Sequence, residues 1–449
     1  MDEPLLFPEL AGPAEDTTTQ ETPQRAAPRL RLPQRDQAEM FFESLDQRID
    51  ADHTVRTVWS FVQNLDLSAW LGRIKAVEGH RGRDANDPRM LLTLWLYASI
   101  EGVGNARELD RLCTNHRVYQ WICGGVSVNY HTLADFRSQH TEFLDDLFAK
   151  SIANLSHQGF IDLNLVTQDG MRVRASAGSD SFRREATLQE HLQRAQDHLQ
   201  KLNAELEINP NQLDARRKAA QLRAAREKKE RLEQAVANVR DIAESREQRK
   251  KGDGVKARAS STDPDARRTQ MPDGGTRPAY NAQFATDAKN KFIVGVQASN
   301  AVNDANELEP MLDNLQETFA KSPDQMLVDG GYSTKDNIDL AAERGTTLYA
   351  PLKEERKQLE AGKDPYAPKK GDSDAMKAFR ARMGLPESKT LYKLRGQNAE
   401  WVNAQARSHD LYQVRVRGKA KVLAVLTLFA LAHNLLRAAR LRAAQQAER

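Results

Sequence analysis

The stretch Val-Thr-Gln-Asp-Gly-Met-Arg-Val-Arg-Ala, Val166 to Ala175, reads as an apolar, strand-like run with an acid, Asp169, in its middle. A lone carboxylate in a buried strand is costly unless it is paired or coordinates a metal, so companions are expected further along. A period of two predicts strands over Ala279 to Asp287 and Phe292 to Ser299, joined by the turn Ala288-Lys289-Asn290 as an antiparallel meander. Short apolar runs predict two more strands, Met326 to Asp329 and Thr346 to Ala350, the second stopped by Pro351. Ala305 to Phe319 reads as a helix, and Ser333 with Asp336 reads as the N-cap and acid of a capping box ahead of Ile338. The order is three antiparallel strands, then helix, strand, helix, strand.

Elsewhere the period is helical. Residues 1–35, rich in Pro, Thr, Glu and Gln, read as a tail, and 36–159 as an all-helical domain. Asp87 and Pro88 open a buried helix to Ile100, Asn105 caps Ala106 to Thr114, and another helix begins near His131-Thr132. That layout is either a DNA-binding helix-turn-helix presenting Thr132 and Arg137 to a groove or a packing subdomain. Within 183–252, leucines recur at three and four residues from Leu188 to Leu206, break at Asn209-Pro210 and resume from Leu213 to Val239. This predicts an inserted helical hairpin whose basic face, including Arg223, Arg226 and Lys228, is either a solvated coiled-coil surface or a grip on DNA or a second protomer. Lys353 to Leu385 reads as a charged connection, and Lys419 to Arg440 as an apolar helix in which His433 is a hydrogen-bonded core residue.

Composition narrows the picture only a little. Lys and Arg number 66 against 63 Asp and Glu, a net charge of +3, so a nucleic-acid surface would have to be local. Cys113 and Cys123 lack metal-ligand spacing and point to a reduced, cytoplasmic protein. The N-terminus has no signal-peptide pattern, and the apolar run Val422 to Leu431 is about half a membrane span, so no membrane partner is expected.

Asp169 finds its companions in Asp329, at the end of Gln-Met-Leu-Val-Asp-Gly-Gly-Tyr, and Glu400, in Tyr-Lys-Leu-Arg-Gly-Gln-Asn-Ala-Glu-Trp-Val-Asn. Asp162, Asp287 and Asp304 are rival acids. The set resembles the DDE transposases of bacterial insertion sequences, and Ser261 to Arg267, Arg277 to Gln283 and Ala430 to Leu435 are similar to phrases of that family. The family's signature is Tyr, two residues, Arg, three residues, Glu, six residues, Lys or Arg. Here four residues separate Arg395 from Glu400, and Arg407 holds the last position.

The resemblance implies an α/β fold with a ribonuclease H-like mixed sheet formed by 160–182 and 253–449. It implies that Asp169, Asp329 and Glu400 are catalytic and metal-binding, with two Mg2+ or Mn2+ ions serving the attacking and leaving oxygens. Arg395 and Arg407 then hold phosphate through the planar guanidinium fork. Tyr392 stacks on a base or packs the helix, and Asn403 shares the face of Glu400. The implied partner is double-stranded DNA, the transposon ends and the target, bound by a homodimer. A stand-alone nuclease and a catalytically idle regulator are the alternatives.

Overall fold

The strand-like run at Val166 becomes the middle strand of a six-stranded mixed sheet in the computed structural model, which describes residues 42–447 except 73, 75, 78–83 and 209–214. The expected tail, the Asn209-Pro210 break and Leu213 lie outside the described residues. β1 (Leu165–Arg174) pairs antiparallel with β5 (Thr276–Asp287), and β5 pairs antiparallel with β6 (Ile293–Ser299). On its other edge β1 runs parallel to β7 (Gln325–Leu327), and β7 parallel to β8 (Thr347–Tyr349). A further strand, β4 (Arg267–Gln270), lies along the first residues of β5. Between β1 and β4 come β2 (Phe182–Arg183) and β3 (Ala259–Ser260), a separate two-stranded clasp.

Among the described residues, seven helices precede the sheet: α1 (Thr54–Gln63), α2 (Ser68–Leu71), α3 (Pro88–Ile100), α4 (Ala106–Asn115), α5 (Arg117–Cys123), α6 (Tyr130–Gln139) and α7 (Thr141–His157). Their starts follow side-chain chemistry. Asp87 accepts from Arg89 N with Pro88 in the first turn of α3, Asn105 accepts from Arg107 N, and Asn129 from Thr132 N. α6 therefore begins one residue before the expected His131.

The predicted hairpin is α8 (Glu185–Ile208) with α9 (Ala215–Arg249). Leu188, Leu232, Val236 and Val239 close over Ala257 and Ala259 in a small core of its own. After the meander come α10 (Leu308–Phe319) and α11 (Lys335–Glu343). The cap of α11 is Thr334, whose side chain accepts from Asn337 N, so the expected Ser333 cap is off by one. The reason is that Ser333 is spent ending the 3-10 turn Gly330–Tyr332.

The stretch expected to be a plain connection contains α12 (Glu355–Glu360), α13 (Asp374–Met383) and α14 (Pro386–Tyr392). Met376, Phe379 and Met383 are buried, and a buried Arg380–Asp372 pair at 2.7 Å ties α13 down. α15 (Trp401–Ser408) and α16 (Lys419–Ala447) complete the chain.

α16 organises the packing. It lies on β6 and against α3, α6 and α7, so one buried apolar core runs through the N-terminal helices and the sheet. By length and composition it could cross a membrane, being longer and more continuously apolar than the run Val422 to Leu431 suggests. In this fold 61% of its most apolar window is buried.

Its polar residues are matched to the sheet. Asn434 accepts from Ile293 N at 2.8 Å and donates to Ile293 O at 2.7 Å, while His433 Nε2 donates to Lys291 O at 3.0 Å, its pKa pushed down to about 4 by burial. At the other end, Asp263 accepts from Gly418 N and Tyr280 OH, and Asp265 accepts from Lys419 N. These carboxylates sit where the helix exposes unpaired N–H groups and positive dipole.

Asp287 ends β5 fully buried. Its Oδ2 accepts from Asn290 N at 2.8 Å, but Oδ1 has no partner. Burial pushes its pKa up to about 6. A raised pKa means the fold favours the protonated form, so this group's contribution is fully present below about pH 4 and is lost as pH rises through 6. Asp287→Asn keeps the acceptor without the charge. At pH 7 it should be more stable than the parent by on the order of 2–3 kcal/mol, and the two should converge near pH 4. Melting curves from pH 4 to 8 check this, and parallel profiles would reject it.

Candidate active site

β1 and β7 run parallel with Thr167 opposite Leu327. Two residues on, the same register sets Asp169 level with Asp329, which has just left β7. Asp329 stands exposed at the start of the 3-10 turn, its Oδ1 accepting from Gly330 N at 2.7 Å. Asp169 is mostly covered. Arg395 Nη2 donates to its Oδ1 at 3.1 Å, and Asn403 Nδ2 to its Oδ2 at 2.9 Å. Burial pushes the Asp169 carboxyl above its ordinary pKa, Arg395 draws it back, and the neighbouring Asp329 raises it again. Burial alone would lower Arg395, but Asp169, Tyr392 and Asp329 together hold it above its ordinary value.

Glu400 arrives by an unusual route. Gly396–Glu400 is a π-helical turn between α14 and α15. In an α-helix, three intervening residues put Arg and Glu on one face, and a fourth would swing Glu about 100° away. The wider π turn, with its i to i+5 bonds, absorbs that extra residue. Glu400 Oε1 accordingly lies 3.7 Å from Arg395 Nη1. Arg395 therefore stands between Asp169 and Glu400, with Glu400 itself 68% exposed. Among the described residues no three His, Cys, Asp or Glu side chains are close enough to share one ion.

The remaining sequence candidates divide. Tyr392 OH donates to Val328 O at 3.1 Å, anchoring the residue before Asp329, and burial pushes its pKa up to about 12. Asn403 is buried on Asp169, whereas Arg407 is exposed one turn further. Thr132 is half-buried in the first turn of α6. Arg137 reaches no groove. It is 5% exposed, its guanidinium lies 4.0 Å from the Trp95 ring centroid, and Nη1 donates to Gly104 O at 2.8 Å. It is a packing residue, stabilised by a cation–π contact instead of by phosphate.

On the opposite face of β1 lies a polar group that sequence reading missed. Gln283 Oε1 accepts from both Tyr332 OH at 2.5 Å and Gln168 Nε2 at 3.0 Å. Gln283 Nε2 and Asn281 Nδ2 donate to Asp304 Oδ1, and Arg172 pairs with Asp304 at 3.6 Å. Gln283 thereby links the residue before Asp169 to the third residue after Asp329. Gly170 makes room for this, since an added Cβ would come within 2.5 Å of Gln283 and 2.6 Å of Asp304. Of the rival acids, only Asp304 lies beside the centre, because Asp287 and Asp162 sit together at the far end of the sheet.

Two family matches accompany this geometry. Residues 252–435 match a family described as Transposase DDE domain, and residues 43–139 match one described as Transposase domain (DUF772). The first covers Asp329, Tyr392, Arg395, Glu400, Asn403 and Arg407 but not Asp169, which lies on the far side of the inserted hairpin. No curated protein and no solved structure matches the chain.

Proposed function

Since this chain belongs to the insertion-sequence DDE transposases, we propose that it binds the ends of its element as duplex DNA, hydrolyses phosphodiesters there and joins the freed 3′-hydroxyl to target DNA. Asp169, Asp329 and Glu400 are the catalytic acids in this reading. The observation that carries it is the register that sets Asp169 level with Asp329, with Arg395 reaching from Asp169 to Glu400. The strand order β6, β5, β1, β7, β8, antiparallel then parallel, supports a ribonuclease H-like sheet.

Asp169 and Asp329, level across β1 and β7, offer oxygens of the kind a divalent cation takes, with Glu400 held on the far side of Arg395. A partly buried carboxyl pushed up by its surroundings and by a second acid is a centre whose repulsion an added positive charge relieves. Asp169, Asp329 and Glu400 would hold Mg2+ or Mn2+, two ions in our reading, and the metal would supply activation of the attacking oxygen and stabilisation of the leaving one. Asn403 fixes the orientation of the Asp169 carboxylate, and Tyr392 fixes the strand end that presents Asp329. Arg395 and Arg407 offer guanidinium forks to phosphate. In this reading α6 and Thr132 belong to the DNA-binding part, Arg137 does not, and the protein works as a cytoplasmic homodimer on the nucleoid.

The test is a cleavage assay on the DNA flanking the gene. Strand breaks at the element boundaries that need magnesium are expected. Binding without any cleavage, under magnesium or manganese, would instead favour an idle DNA-binding regulator.

A further inference from the structure

Among the described residues two arginine side chains are buried, and the fold provides for them differently. Arg380 has the carboxylate of Asp372 at 2.7 Å. Arg137, on α6, has no acid: Nη1 donates to Gly104 O, the Trp95 ring lies against the guanidinium, and Nε is buried without a partner. Burial alone pushes its pKa down to about 10. A buried charge is ordinarily paired or bound to an ion, and four of the five N–H donors of this guanidinium remain for one.

Beside Arg137 there is a cavity of about 40 Å³, closed by the loop 102–104 after α3 and by the segment 409–415 that joins α15 to α16. Trp95, Val414, Leu428 and Phe429 give it apolar walls. Arg415, exposed, comes to the same glycine from outside, since a Cβ added to Gly104 would lie 3.8 Å from Arg415 Cγ. The other polar groups on the wall are already committed. His409 Nδ1 donates to Ile100 O at 2.6 Å, and the Asp410 carboxylate accepts from the Tyr412 phenol and exerts no pull on Arg137.

We infer that this cavity binds a monatomic anion of the chloride class on the Arg137 guanidinium, with Arg415 at its mouth. Size selects the class. At roughly 10–15 Å³ for each water-sized sphere the space takes about three, whereas phosphate or sulfate presents four oxygens around a central atom. The ion ties α6 and the loop after α3 to the connection between α15 and α16, so its effect is on stability, and the inference stands apart from the transposase reading.

The test follows melting of the full chain as potassium chloride replaces potassium glutamate at constant ionic strength. Arg137→Met keeps an unbranched stem against Trp95 and removes the charge. The parent should gain about 2 °C or more over this variant once chloride exceeds its dissociation constant tenfold. Bromide should act in the same way, and sulfate should give the parent no such advantage.

Parallel chloride curves for the parent and Arg137→Met would overturn the inference. Asp410→Asn should keep the parent's gain, because that acid faces Tyr412. A chloride gain that appears only in Asp410→Asn would make Asp410 the counter-charge and overturn it as well. If Arg137→Met does not fold, crystals of the parent grown in bromide salt decide: an anomalous peak against the Arg137 guanidinium is expected, and its absence would overturn the inference.

Discussion

Asp169→Asn, Asp329→Asn and Glu400→Gln should each reduce DNA cleavage by on the order of 10³-fold or more while leaving duplex binding within a few-fold of the parent. Each substitution keeps shape and removes one anionic oxygen from the set that would hold the metal. A 10³-fold loss corresponds to about 4 kcal/mol of transition-state stabilisation. None of the three changes should unfold the protein.

For Asp169 this follows from its raised pKa: the ionised form is a burden on the fold, so a neutral amide relieves desolvation even as it gives up the ion pair with Arg395. Its melting temperature should stay within about 4 °C of the parent. Two further variants give the experiment its discrimination. Asp287→Asn, at the far end of β5, should cleave normally. Asp304→Asn perturbs the group beneath Gly170 and should cleave at a reduced rate. Normal cleavage by Glu400→Gln together with none by Asp304→Asn would transfer the third acid to Asp304.

The second large effect belongs to a residue that would touch no DNA. Gln283→Leu should lower cleavage by about 10²-fold and stability by about 2–4 kcal/mol. The Gln283 side chain joins Gln168 to Tyr332, and those two residues flank Asp169 and Asp329 in the chain. Without it the Tyr332 hydroxyl is buried with no acceptor. The strand bearing one acid then keeps its backbone pairing with β7 but loses its side-chain tie to the turn bearing the other. Misplacement of reacting groups by as little as 1 Å is enough for a loss of this size.

Tyr332→Phe separates the two consequences. It removes one hydroxyl, should cost less stability, and should still raise the magnesium concentration needed for half-maximal cleavage. If Gln283→Leu, assayed well below its melting temperature, cleaves as fast as the parent, the link has no part in the reaction.

How far these features could be read in advance depends on the physics behind each. Asp169 stood out because an acid in an apolar strand demands an explanation, and the strands around it follow a plain period of two. Gln168 and Gln283 escaped notice for the opposite reason. A glutamine in a strand reads as a solvent-facing position, yet this sheet is covered on both faces, and only the fold shows that the two amides meet.

Arg137 misled because arginine is seldom fully buried, and nothing local announces that Trp95 will lie over it. The helix α13 was passed over although Met376, Phe379 and Met383 recur at helical spacing, because the many charges around them suggested a solvated connection. The extra residue between Arg395 and Glu400 was visible as an anomaly of spacing. Its resolution by a π turn was not, since no residue preference marks one.

The clasp of β2 on β3 also bears on how the chain reaches its fold. β1 must find β5 across more than a hundred residues, and pairings of such long range are slow to nucleate because the intervening loop must close first. α8 and α9 are local, can form early, and carry their own small core. Once they do, Phe182 meets Ser260 and the Ser181 hydroxyl meets that of Ser260 at 2.7 Å. The hairpin then works as a splint, shrinking the effective loop between β1 and β5 to the segments Ala175 to Ser181 and Ser261 to Gly275 on either side of the clasp. Closure entropy grows only logarithmically with length, at about 0.6 kcal/mol per doubling. An insertion that folds first can therefore lie between two adjacent strands of the central sheet and even speed their pairing.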